Sequence, residues 1–199
     1  MVDSILDGAF YGVAGAGESL LLGRLSDEPA EPPTFVVGPP RCGTTLVYLH
    51  LLNAYRFAYV PNLADDHPDA VLTYAKIARM TGEYHPTYDN EFGQTFGPLG
   101  PSDAWNVFER WFPTYAIDRR VDAAVDEELP RIVGALEGLY GAPFLNKNNH
   151  NSVRVGRLRG IFPEARWIRV TREAADATLS LRDARRANDV AVGEWWSCP

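Results

Sequence analysis

Apolar residues along this chain fall into two periods. Short runs of strand length occur at Thr34–Val37, Pro143–Lys147 and Arg166–Thr171. Each is followed by a segment whose apolar residues recur at helical spacing. After Thr34-Phe35-Val36-Val37 a Gly/Pro turn leads into a helix predicted from Gly43 to about Ala54, with Leu46, Leu49 and Leu52 along it. Ser152 to Phe162 reads as helix closed by Pro163, and Glu173 to about Ala187 as another. Strand, helix, strand, helix with short connections implies parallel pairing. Between these lie a possible second strand at Phe57–Val60 and a helix from about Pro68 to Met80, begun at Asp65-Asp66-His67-Pro68. A further helix is predicted from a Ser102 cap to Phe112, and a longer pattern from Asp118 to Tyr140, interrupted at Pro130 and ended by Gly141. Thr81 to Pro101 fits neither period. It holds four glycines and three prolines and reads as a long loop, of the kind that often carries function.

These elements predict an α/β fold with a central parallel sheet flanked by helices, over residues 34–199. Residues 1–33 are expected to be a short helical segment and a Pro-rich linker. The length of 199 residues suits one domain with a substantial core. The apolar stretch Ala9–Leu22 is Gly-rich and broken by Glu18, too short and polar to span a bilayer. Two cysteines give no disulfide framework, and no signal peptide is visible, so a cytoplasmic setting is expected, with no membrane partner.

Charge sharpens this picture. The net charge of −7 argues against a nucleic-acid partner. It is unevenly spread, however. Lys147 to Arg186 holds ten Lys and Arg against four Asp and Glu, leaving −13 for the remainder. A basic segment in an acidic chain suggests a local anion site.

The strand–loop–helix at Thr34–Leu46 is one place for it. Backbone N–H groups and the dipole of a helix N-terminus favour phosphate there. Gly38-x-x-x-x-Gly43 matches the Walker spacing, but Thr44 stands where a nucleotide triphosphatase needs lysine. The positive charge sits instead at Arg41, with the Thr44 and Thr45 hydroxyls beside it. Arg172 follows the strand at 166–171, at the end where doubly wound folds place ligands, and Ser180 lies on the next helix. Lys147 ends another predicted strand and faces the same rim.

Taken together, these three segments resemble the sulfotransferases that use 3′-phosphoadenosine 5′-phosphosulfate (PAPS), which have a three-layer P-loop-type fold. Gly-Pro-Pro-Arg-Cys-Gly-Thr-Thr is similar to their 5′-phosphosulfate loop, so the resemblance implies donor contacts from Gly38, Pro40, Arg41, Cys42, Gly43, Thr44 and Thr45. Cys42 replaces the usual serine. Phe-Pro-Glu-Ala-Arg-Trp-Ile-Arg-Val-Thr-Arg with Ser180 is similar to the 3′-phosphate motif, with Arg172 and Ser180 in the binding positions. Glu173-Ala174 departs from the usual Asp-Pro or Asp-Gly. Asn146-Lys147 resembles the lysine of the tyrosylprotein and bacterial branches. The pieces around 98–113 look closest to bacterial members. Such proteins usually continue beyond Trp195-Trp196, so the resemblance implies a C-terminally truncated domain.

What the resemblance implies for chemistry is in-line sulfuryl transfer from PAPS to a hydroxyl or amine of a small-molecule or peptide acceptor. Arg41 and Lys147 would stabilise charge on the leaving phosphate oxygen. No metal is required, and no metal-ligand spacing is visible. A general base should take the acceptor proton. The long loop offers Glu83, His85, Asp89 and Glu91, with His85 first and Glu83 second; His67 and His150 are lesser candidates. The loop aromatics could line an acceptor site, while Trp105, Phe108 and Phe112 fall at helical spacing and suit a core. Two other readings stay open: a kinase-like phosphotransferase, and a non-catalytic nucleotide-fold module.

Overall fold

Strand β1 (Thr34–Val37) is buried at every residue, as its Val- and Phe-rich run requires of a strand covered on both faces. It is the middle of a parallel three-stranded sheet of order β4-β1-β5, in which β4 is Leu145–Lys147 and β5 is Arg166–Arg169. The register pairs Thr34 with Leu145 on one side and with Arg166 on the other. β4 is wholly buried, whereas β5 has exposed ends and forms an edge. The computed structural model describes residues 14–23, 28–85, 87–112 and 122–190.

The helices are α1 (14–22), α2 (Thr44–Ala54), α3 (Asn62–Asp65), α4 (Val71–Met80), α5 (Trp105–Glu109), α6 (Val125–Tyr140), α7 (Asn151–Ile161) and α8 (Ala174–Ala187). A 3₁₀ turn, Pro68–Ala70, precedes α4. The expected α/β architecture, a parallel sheet flanked by helices, is therefore present. Among the described residues no helix is long and apolar enough to cross a membrane.

Phe35 anchors the main core, stacking on Trp167 at 5.0 Å and packing against Phe162 at 5.9 Å. Trp111, Phe108, Leu129, Leu136 and Leu158 extend it, all fully buried. Side chains of this size each stabilise the fold by roughly 1.5–3 kcal/mol on burial. Two buried glutamates tie chain segments to this core. Glu18 of α1 accepts the Leu72 and Thr73 N–H groups at 3.0 and 2.9 Å, capping α4 from outside. Glu137 of α6 accepts N–H groups from Ala30 at 2.8 Å and Phe144 at 2.9 Å, holding the linker against the start of β4.

Several expectations need correction. Phe57–Val60 is not a strand. It makes one parallel bridge, Ala58 to Phe144, and goes no further because the Val60 carbonyl accepts the Ser102 N–H instead of a partner on β4. Pro130 does not interrupt α6. It lies in the second turn, and the bond it forfeits belongs to the carbonyl of exposed Asp126, where solvent can replace it. The long loop contains a small hairpin, β2 (Asn90–Glu91) and β3 (Gln94–Thr95). Ser102 does not cap a helix reaching Phe112. Ala104 adopts a left-handed turn (φ 57°) and α5 begins only at Trp105. The predicted helix start at Asp118 lies outside the described residues, as does Cys198.

Candidate functional site

The loop after β1 is shaped by close approach. A Cβ on Gly38 would stand 2.4 Å from the Val170 carbonyl oxygen and 2.8 Å from the Cys42 sulfur. Only glycine lets the loop pass there. The Ser152 hydroxyl braces the same residue, accepting the Gly38 N–H at 3.0 Å and donating to its carbonyl at 3.2 Å. Arg41 and Gly43 then take left-handed conformations, φ 66° and 98°, turning the chain into α2. No side chain caps α2, and its backbone ladder begins with Val47 donating to Gly43. The N–H groups of the first turn have no intrahelical acceptor, so they offer an anion both hydrogen bonds and the positive end of the dipole.

A cavity of about 290 Å³ opens at this helix end, lined by Pro40, Arg41, Gly43, Thr44, Thr45, Asp103, Trp105, Lys147, Asn149 and Arg172 among others. It is at the small end for ligand pockets. Arg41 leans toward α8, donating from Nε to the Ser180 hydroxyl at 3.1 Å, and its guanidinium lies 5.6 Å from the centre of the Phe92 ring. Arg172 reaches the Arg41 carbonyl at 3.4 Å and pairs loosely with Asp176 at 3.9 Å. Burial, and then the neighbouring Arg172 charge, push the Arg41 guanidinium below its ordinary pKa. Two like charges held close enough to oppose each other, with a hydroxyl between the elements that carry them, make a site for an anion.

At the other end of the cavity Lys147, fully buried, forms an ion pair with Asp103. The adjacent Asn146 donates to the Asp103 carbonyl at 3.1 Å, so β4 holds this carboxylate through both main chain and side chain. The Trp105 ring packs on the His150 ring at 4.0 Å. The threonine hydroxyls are engaged within the protein, Thr44 donating to Asn149 Oδ1 at 3.0 Å and Thr45 to the Gly93 carbonyl at 3.2 Å.

The structure thus brings Pro40, Arg41, Gly43, Thr44, Thr45, Lys147 and Arg172 to one cavity, with Ser180 joined to it through Arg41 and Gly38 buried behind it. Cys42 is buried behind it, its thiol directed to the Val170 carbonyl at 3.4 Å and pushed up in pKa by that burial. It braces the loop. The two candidate bases are not brought to the cavity. Glu83 is exposed and borders a separate cleft with Tyr84, Arg79 and Tyr140, and His85 is exposed on the same surface segment. His67 stacks on Tyr74 at 3.8 Å and is tied to the Leu63 carbonyl. The acid at the site is Asp103, which the sequence pattern had placed in a helical turn. Trp105, expected in the core from its helical spacing, is only partly buried and lines the cavity, as do Asn149 and the loop aromatic Phe92.

Among the described residues no group of three or more His, Cys, Asp or Glu could hold a metal ion. No curated protein and no solved structure matches the chain. The sulfotransferase family model matches residues 32–192, an interval that holds β1, the loop, Lys147, Arg172 and Ser180. The chain belongs to the sulfotransferase family.

Proposed function

We propose that this protein transfers a sulfuryl group from PAPS to a hydroxyl or amine of its acceptor. The observation that carries the reading is the pairing of Arg41 with Ser180 beside Arg172, at an uncapped helix N-terminus whose far wall holds a buried lysine. The residues present fit the donor. The tight loop that Gly38 permits and the N–H groups at the uncapped start of α2 suit its 5′-phosphosulfate. Arg172 and Ser180 suit its 3′-phosphate. The donor supplies an activated sulfur whose bond to a phosphate oxygen breaks as the acceptor oxygen or nitrogen bonds to it.

The chain's own groups would do three things. The loop N–H groups and Arg41 fix the anion by charge-assisted hydrogen bonds. Lys147, buried and therefore weakly screened, stabilises charge arriving on the leaving oxygen. Asp103 replaces His85 and Glu83 as the group to take the acceptor's proton, since it is the carboxylate in the cavity lining. A cytoplasmic setting accords with Cys42 as a free buried thiol.

The test is a thermal-stability titration with the desulfated product, 3′-phosphoadenosine 5′-phosphate (PAP), and separately with ATP and magnesium. A ligand at a hundred times its Kd adds about 2.7 kcal/mol. PAP should stabilise selectively, and Arg172→Ala should remove most of the effect. Preference for ATP with magnesium would refute the proposal.

A further inference from the structure

Beside the donor cavity lies a larger cleft of about 760 Å³, bordered by α3, by β3 and by the segment running into α5. Gln94, Asp103 and Trp105 line both spaces. A molecule lying in the larger one therefore presents its nearest atoms to Asp103, across from the sulfuryl donor.

The chemistry of this cleft is narrow. Its lining includes Asp65, Asp66 and Asp103 and, among the described residues, no Lys, Arg or His. Asp65 is turned inward, receiving the Ser102 hydroxyl at 2.6 Å and the Val107 N–H at 3.1 Å. The Asn62 amide nitrogen is spent on the Thr95 and Gly97 carbonyls, and that of Asn106 on the Asp65 carbonyl. What remains toward solvent is the carboxylate of Asp66, the amide of Gln94 and the Asn106 side-chain oxygen, all on exposed residues, with the partly open Asp103 beside one indole, Trp105. The loop aromatics do not form an apolar sandwich here. Tyr88 is held by His50 and Asn53, and Tyr84 packs on Tyr59. A flat phenol would find one ring and a polar wall, and an acidic peptide would meet uncompensated negative charge. Vicinal hydroxyls suit carboxylate and amide acceptors and donors, with a C–H face on the indole.

Resting on the sulfuryl-transfer reading above, we propose that the acceptor is a sugar, neutral or amine-bearing, seated in this cleft with its reacting group at Asp103. The full chain is titrated, with and without PAP, against oligomers of N-acetylglucosamine and of glucosamine, against p-nitrophenol, and against a tyrosine peptide flanked by glutamates. Saturation-transfer NMR reads the binding. Both sugars should bind, while the phenol and the peptide should not. Asp66→Lys, at an exposed rim position, should weaken the glucosamine oligomer about tenfold and the neutral oligomer much less, with PAP stabilisation unchanged. Binding of the phenol or peptide in preference to the sugars, or an amino-sugar affinity indifferent to Asp66→Lys, overturns the proposal. Loss of PAP stabilisation in the unaltered chain would instead strike the donor reading, and the sugar titration without PAP is judged separately.

Discussion

Lys147 and Asp103 are unequal partners, and the inequality predicts which one the fold depends on. The lysine side chain is 2% exposed, while that of Asp103 is 34% exposed. Removing the lysine leaves a carboxylate that can hydrate through its open face. Removing the carboxylate leaves an ammonium group enclosed in the sheet. Breaking a buried pair in that second way costs about 3–5 kcal/mol. The cost has a ceiling, because the stranded amine can shed its proton. For an ordinary lysine that step costs about 1.36 kcal/mol per unit over the ~3.4 units between pH 7 and ~10.4, so roughly 4.6 kcal/mol. Asp103→Ala should therefore lose about 3–4.5 kcal/mol at pH 7, and Lys147→Met, which refills the volume with an apolar chain, about 0–1 kcal/mol. The sign of the pH effect follows. A folded variant holding a neutral amine binds fewer protons than its unfolded chain, so its stability rises with pH and the deficit shrinks toward pH 9. Urea denaturation of the unaltered chain and both variants at pH 7, 8 and 9 measures this. Equal losses at the two positions, or a deficit in Asp103→Ala that grows with pH, would refute the reasoning. Both variants should lose transfer activity, which separates catalytic importance from structural importance at one ion pair.

Other consequences follow from local geometry. Gly38→Ala places a methyl 2.4 Å from a carbonyl oxygen, which should cost about 1–3 kcal/mol by urea denaturation and abolish PAP stabilisation. Gly134→Ala sets a Cβ 2.6 Å from the Glu28 carbonyl; it should destabilise by a similar ~1–3 kcal/mol yet leave PAP stabilisation intact. Gly156, inside α7, has open space where a Cβ would stand, so Gly156→Ala should stabilise by about 0.5–1 kcal/mol in the same assay. Burial, partly offset by hydrogen bonds, raises the pKa of Glu18 and Asp65 above 4.5 and 3.8. A raised folded value gives stability that is complete below the unfolded pKa and lost as pH rises through the folded one. Relative to the unaltered chain, Glu18→Gln and Asp65→Asn should therefore gain stability as pH rises from 3.5, read by thermal melts across pH 3.5–7.

The parts of the site that were legible in the sequence are those written in short stretches. β1, its loop and α2 are contiguous, and Val36-Val37-Gly38 followed by Gly43-Thr44 carries strand, turn and helix start without reference to the rest of the chain. Lys147 was legible as a residue that ends a strand and Arg172 as one that follows a strand, because the ends of parallel strands share one rim. The acid was not legible. Asp103 meets Lys147 across 44 residues, and its placement depends on a left-handed turn at Ala104, a residue type with no marked preference for that conformation. Composition pointed to the charged loop at 83–91 instead, but its Glu83 end lies at a different cleft and what the loop gives the cavity is Asn90. Phe57–Val60 misled for a related reason. Its apolar pattern reflects burial of Ala58, Tyr59 and Val60, but pairing stops after the single bridge at Ala58 because Val60 bonds to Ser102.

The position of Asp103 is built from polar contacts on both sides. Asp65 holds Ser102 and Val107, the residues that bracket the turn, and β4 holds the Asp103 carbonyl through Asn146. Burying Asp65 works against its ionisation, so the fold accepts an electrostatic cost in α3 to fix a carboxylate in the cavity. That arrangement has a consequence for the proposed chemistry. Lys147 is neutralised by Asp103 as the site stands, and an incoming phosphosulfate competes for the same ammonium group. On that reading, a lysine that turned its charge toward the leaving oxygen would release part of its ion pair with Asp103. The contact that pairs a buried cation with Asp103 is then also the one that a bound donor would loosen, so the proposed donor site and the proposed base are joined through a single ion pair.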